Sequence, residues 1–158
     1  MTQGMLHELE THPFVADFRP EHRARLAALA KQVHFAPDQV IFHEGDDYSV
    51  LYLLSQGMVS LELDVPGHLL RVQTLYGGDV FDWSALLPHA GKHFQARALD
   101  AVTALAFEGE ELLASFRSDP EFGLAFMLRL MGVVSERLRA TRLQLLDMYS
   151  PVAKRAGT

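Results

Sequence analysis

The spacing of hydrophobic positions changes twice along the chain. Behind Pro20, the residues Leu26, Leu29, Ala30 and Val33 recur at helical spacing, the signature of one helical face opened by a proline. This pattern predicts a short helix near 11–17 and a second near 20–31. From Val33 the apolar runs shorten to strand length. VIFHEG, VLYLLSQGMVSLELDVP and LLRVQTLYGGDVF are broken by Gly45, Gly57, Gly67 and the Gly77-Gly78 pair. ARALDAVTALAFEG then has the content of two short strands that turn near Asp100. The predicted centre, about 33–108, is an antiparallel β unit of about eight strands.

Past Gly109 the helical period returns. EELLASFRSD reads as a short helix, and Pro120 stands where a long one begins. Met127, Leu130, Val134, Leu138, Thr141, Leu145 and Met148 follow at three- and four-residue steps, one stripe on a helix of about eight turns. The first half of that stripe is expected to pack on the β unit. The second half, past Leu138, is expected to project beyond it, where an apolar seam needs a partner helix. A homodimer through helix 120–149 is therefore expected, with Met127, Leu130, Val134, Leu138, Thr141 and Leu145 at its interface.

Composition narrows the function classes. A chain of 158 residues suits one domain over 1–158, with helices at about 11–31 and 109–149 around the β unit. A net charge of −6 without a basic run argues against nucleic acid, because neutralising phosphates takes clustered Lys and Arg. The absence of cysteine excludes disulfides, thiolate zinc sites and cysteine nucleophiles. No segment reads as a signal peptide or membrane span, so a cytoplasmic location without membrane association is expected.

The stretch PDQVIFHEGDDYSVLYLLSQGMVSLEL holds the apolar pair Ile41-Phe42, Gly45 in a turn, Tyr52 seven residues on, and Gly57 in the next turn. This resembles the opening strands of the cyclic-nucleotide-binding domain family. The likeness runs from about residue 12 to 149. It implies a mainly β fold: an eight-stranded antiparallel β-roll of the catabolite-activator-protein type, with N-terminal helices and a long C-terminal helix. Transcription regulators of the family carry a winged helix-turn-helix after the long helix; none is expected in this polypeptide.

The resemblance places the family's phosphate-binding loop on GGDVFDWSALLPHAGKHFQARAL, with Phe81, Asp82, Trp83, Ser84, Ala85, Lys92, His93 and Phe94 at its ligand-facing positions. In the family the loop reads Phe/Ile-Gly-Glu at its start and Arg-Ser/Thr-Ala at its end. Backbone amides and Arg hold the phosphate, and Glu accepts from the ribose hydroxyl. Here Asp82 falls on the Gly, Trp83 on the Glu, and Lys92-His93-Phe94 on the Arg-Ser/Thr-Ala. Lys92 keeps a charge without the bidentate fork. Asp82 repels an anion, and Trp83 cannot accept a hydrogen bond.

An unpaired buried hydroxyl costs about 1–3 kcal/mol. Losing half of a charge-assisted pair costs about 2–5 kcal/mol. At about 1.4 kcal/mol per factor of ten, affinity for a cyclic nucleotide falls roughly several hundredfold or more. Three outcomes stay open: a pocket relined by Trp83, Leu86, Leu87 and Phe94 for another small molecule, a pocket filled by Trp83 or Phe94, or conventional nucleotide binding through Lys92.

Other chemistry has little support. His89 and His93 are four apart, but Pro88 and Gly91 break a helix there, and no metal is implied. His34, His43 and His68 lie in or beside predicted strands as surface or paired groups. Glu108, Glu110 and Glu111 suit a helix N-terminus. No P-loop, nucleophile elbow or dinucleotide fingerprint occurs, so no catalytic residue or cofactor is assigned. The expected role is a non-catalytic regulatory domain signalling to a protein partner, or a scaffold without a ligand.

Overall fold

A computed structural model describes residues 2–47, 49–87 and 94–156. The elements run α1 Thr2–Glu10, α2 Pro20–Leu29, β1 Lys31–Phe35, β2 Val40–Phe42, β3 Val50–Gln56, β4 Met58–Val65, β5 His68–Tyr76, β6 Val80–Phe81, β7 Gln95–Ala98, β8 Val102–Glu108, α3 Gly109–Ser118 and α4 Pro120–Ala156. Short 3-10 turns occupy Pro13–Val15 and Trp83–Leu86. The strands form two four-stranded antiparallel sheets, β1-β8-β3-β6 and β2-β7-β4-β5. This is the mainly β roll with helices before and after it that the sequence pattern leads one to expect.

The glycine punctuation has a backbone cause. At Gly57, between β3 and β4, φ is +95°, and an added Cβ would lie 2.5 Å from the Ala101 carbonyl oxygen. Only glycine fits that turn.

Alternation along β3 feeds two cores, which explains why VLYLL reads as an unbroken apolar run. Tyr52 and Leu54 face the space between the sheets with Ile41, Phe42, Val59, Phe81 and Ala104. Leu51 and Leu53 face outward, onto the helices, with Leu26, Leu105, Phe107 and Leu112. Aromatic rings dominate this second core. Phe14 lies 5.2 Å from Phe126, and Phe116 lies 5.0 Å from Phe126, centroid to centroid. Each such buried side chain contributes roughly 1.5–3 kcal/mol through area removed from water.

Helix α4 is held on this core by more than apolar contact. Arg129 donates from Nε to the Phe14 carbonyl at 3.0 Å while its guanidinium lies over the Phe14 ring. Where α3 crosses α4, an added Cβ on Gly123 would meet Phe116 Cβ at 2.8 Å, so the two helices touch through a bare backbone.

Several expected boundaries differ. Residues 2–10 form a helix that the periodicity did not indicate: Met5 and Leu9 are four apart, but Leu9 alone is fully buried. The helix expected near 11–17 is instead the single turn Pro13–Val15, capped by the side chain of His12. The second helix ends at Leu29, because the chain enters β1 at Lys31.

The long helix is 37 residues, longer than expected, and its core face is Phe122, Phe126, Leu130 and Val133. Of the expected stripe, Leu130 alone is buried, at 5% exposure; Met127, Val134, Leu138, Thr141 and Leu145 are exposed. The phenylalanines set the helix rotation, which leaves Met127 and Val134 on the neighbouring surface. No helix among the described residues is long and apolar enough to cross a membrane.

Candidate functional site

Strand β6 ends at Phe81, and the chain turns sharply at Asp82, whose φ of 65° and ψ of 43° are left-handed. Short polar side chains tolerate that region better than most. The Ser84 hydroxyl donates to Asp82 Oδ1 at 2.9 Å across the start of the 3-10 turn. Ala85 and Leu86 anchor the turn in the helical core. Ala85 also touches the root of α3, for a Cβ on Gly109 would lie 2.2 Å from the Ala85 carbonyl oxygen.

Beside this turn lies a cavity of about 270 Å³. Phe42, Leu61 and Gln73 come from the strands; Asp82, Trp83, Ser84 and Phe94 come from the loop and its exit; Val134, Arg137, Leu138 and Thr141 come from α4. The C-terminal helix thus forms one wall of the cavity. Walls that are mostly apolar with a few polar groups suit a small-molecule site.

Trp83 and Arg137 join the loop to the helix. The Arg137 guanidinium sits over the Trp83 ring, 4.5 Å from its centroid, and Nη2 donates to the Val80 carbonyl. Trp83 is partly buried and packs against the helical core. Burial lowers the Arg137 pKa to about 10, with the Asp79 carboxylate opposing that shift. A guanidinium is suited to this environment because it is weakly hydrated and stacks on aromatic faces.

The loop positions named from sequence separate into distinct roles. Asp82, Trp83, Ser84 and Phe94 line the cavity. Phe81 does not; it is fully buried and stacks on Tyr52 at 4.9 Å between the sheets. Ala85 is a contact to α3. Leu86 belongs to the helical core and Leu87 is 55% exposed, so neither relines the cavity as expected. Lys92 and His93, like His89, lie outside the described residues.

Leu61, Gln73 and Arg137 were not singled out by sequence, and Phe42 was noted only as part of the Ile41-Phe42 pair, not as a cavity residue. The strand residues carried an inward alternation that pointed to the roll interior. Arg137 carried no local signal, being one of several charges in the stretch Glu136-Arg137-Leu138-Arg139.

Residues 32–119, more than half of the chain, match the family described as the cyclic nucleotide-binding domain. The chain belongs to that family. Among solved structures it is similar to a cyclic nucleotide-binding domain from Methylobacillus flagellatus KT, at 17% identity and a TM-score of 0.79, covering 93% of this chain and 83% of that one. It is similar to the Thermus thermophilus catabolite activator protein at 26% identity and a TM-score of 0.71, over 87% of this chain and 63% of that one. A third is the N-terminal domain of a transcriptional regulator from Streptomyces coelicolor A3(2), at 26% identity and a TM-score of 0.68, over 88% and 95% of the two chains. No curated sequence relative matches the chain. Family membership gives the cavity its context: a β-roll pocket beside a loop turn and a C-terminal helix, in a regulatory type of fold.

Proposed function

We propose that the chain is a non-catalytic sensory or regulatory domain whose pocket has lost the contacts needed for tight cyclic-nucleotide binding. It takes a different, more apolar small molecule and signals through α3 and α4 to a protein partner, as a homodimer joined along α4. One observation carries this reading: helix α4 walls the cavity, and its Arg137 rests on Trp83, at the position where the resemblance places a ribose-binding Glu. A molecule in the cavity would contact the loop and the helix together.

The cavity also favours ligand binding over a scaffold role. Trp83 turns one face to Arg137 and packs on the helical core, and about 270 Å³ remains beside it. The dimer part rests on the exposure of Val134, Leu138 and Leu145, at 36%, 50% and 50%.

The deciding experiment is a calorimetric titration with cyclic AMP and cyclic GMP up to millimolar concentration. Affinity weaker than that of an unaltered site by about several hundredfold is expected. Micromolar binding of either nucleotide would overturn the proposal and make the chain a working nucleotide sensor.

A further inference from the structure

The polar side chains that line the cavity at the loop turn, among the described residues, are Gln73, Asp82, Ser84, Arg137 and Thr141. Two of them have spent their donors. The Ser84 hydroxyl donates to Asp82 Oδ1 and the Thr141 hydroxyl to the Arg137 carbonyl, each at 2.9 Å. Asp82, as a carboxylate, has no proton to give.

Arg137 and Gln73 still have donors to offer. Arg137 Nη2 reaches the Val80 carbonyl, while Nε and Nη1 meet no acceptor among the described residues. The side-chain amide of Gln73 makes no hydrogen bond among them either. None of these nitrogens is a buried orphan, so all are open to a molecule that enters. The unspent capacity of the lining is thus for an acceptor.

Charge narrows the acceptor further. Arg137 stays charged at neutral pH, since burial lowers its pKa only to about 10. Buried charges are ordinarily paired, yet no carboxylate among the described residues forms an ion pair with this guanidinium. Asp79 acts on it from outside the lining. Within the lining, Arg137 is the one formal cation and Asp82 the one carboxylate among the described residues. One negative charge on a ligand is matched by Arg137, whereas a second would face Asp82 without a counter-charge. The walls at Phe42, Leu61, Val134 and Leu138 are apolar. At about 270 Å³ the cavity is at the small end of ligand sites, with room for a body of one ring.

We propose that the ligand of this cavity is a small monocarboxylate with an aromatic or branched apolar body, its carboxylate accepting from the open N–H groups of Arg137 and its body lying on Phe42, Leu61, Val134 and Leu138. Gln73 is the second open donor. This ligand class rests on the sensory role proposed above and adds to it the group by which the molecule is recognised. Because Arg137 stands on α4 and over Trp83, a carboxylate taken there engages the helix directly.

The probe is sodium hydrocinnamate, titrated into the full chain, with hydrocinnamamide as its neutral counterpart and sodium acetate as the charge without the body. Trp83 is the single tryptophan and lines the cavity, so its fluorescence reads occupancy. A saturable change with hydrocinnamate is expected, at an affinity at least about tenfold tighter than that of the amide, and none with acetate over the same range. Arg137→Met is expected to erase the preference for acid over amide. Arg137→Lys, which keeps the charge without the planar fork, is expected to retain part of it and gives the readout if the methionine variant folds poorly. Equal binding of acid and amide would overturn the carboxylate while leaving a pocket for an apolar molecule. No saturable change with the acid, or a preference unchanged in both variants, would overturn the proposal as well. Micromolar binding of cyclic AMP or cyclic GMP by calorimetry is the separate failure of the underlying sensory reading, and it would take this ligand class with it.

Discussion

Replacing Arg137 by methionine tests whether the guanidinium is there for stability or for the pocket. Its favourable contacts are a charged hydrogen bond to the Val80 carbonyl, worth about 1.5–3 kcal/mol, and a cation–π contact with Trp83, worth about 0.5–2 kcal/mol. Against them stands burial of the guanidinium, whose desolvation lowers its pKa to about 10. A shift of that size corresponds to roughly 3 kcal/mol. The opposing terms are of one size, so the net contribution of Arg137 lies near zero, within about 1.5 kcal/mol.

Methionine has a similar reach and no charge. Arg137→Met is therefore expected to leave urea-unfolding stability within about 1.5 kcal/mol of the parent, while uncovering a face of Trp83. Trp83 is the single tryptophan in the chain, so intrinsic fluorescence reports that face directly. The expected result is a changed emission spectrum at nearly unchanged stability. A loss above about 3 kcal/mol would mean the residue is a structural clamp. An unchanged spectrum would mean the guanidinium does not rest on the indole in solution.

His12 makes the fold acid-sensitive. Burial lowers its pKa from the ordinary value of 6.5. Above that value the imidazole is neutral in both the folded and the unfolded chain; below it the unfolded chain takes up a proton that the folded chain refuses, so stability falls as pH drops below 6.5. Unfolding measured at pH values on either side of 6.5 should show this loss, and His12→Asn should flatten it; an equal slope in the variant would assign the effect elsewhere. On α4, Leu145 is half exposed and outside both cores. Leu145→Glu should therefore change stability by less than about 0.5 kcal/mol yet shift the protein from dimer to monomer in sedimentation. A parent that already sediments as a monomer would remove the proposed interface.

The strands and turns were legible because glycines break the apolar runs at regular spacing; the order of the strands in the sheets was not, and VLYLL, buried on both faces, offered no alternation to read. The first helix was not legible either, since the amphipathic signal of TQGMLHELE is confined to Met5, Leu6 and Leu9. On α4 the step of three and four was legible, but the face that meets the core is Phe122, Phe126, Leu130 and Val133, which shares only Leu130 with the stripe read from sequence. Rotation about a helix axis is decided by what it packs on, here Phe14 and the other rings of the helical core. At the site, Asp82, Trp83, Ser84 and Phe94 of the positions named by resemblance line the cavity, whereas Phe81 and Ala85 do not. What the loop meets could not be read, because Arg137 reaches Val80 and Trp83 from more than fifty residues away along the chain. Long-range pairing leaves no mark on local pattern.

The contact of Gly109 with Ala85 and that of Gly123 with Phe116 are two joints in series, running from the loop turn to α3 and from α3 to α4. Both are closed by main chain against neighbour, with no flexible side chain between to absorb movement. Such a train has no backlash: a displacement of the turn by a few tenths of an ångström must be met at the next element or open a void. It is also separate from the cavity wall, for neither glycine lines it. The lining can thus be exchanged residue by residue while both joints stay closed, so the chemistry of the cavity and the packing of the helices can change independently.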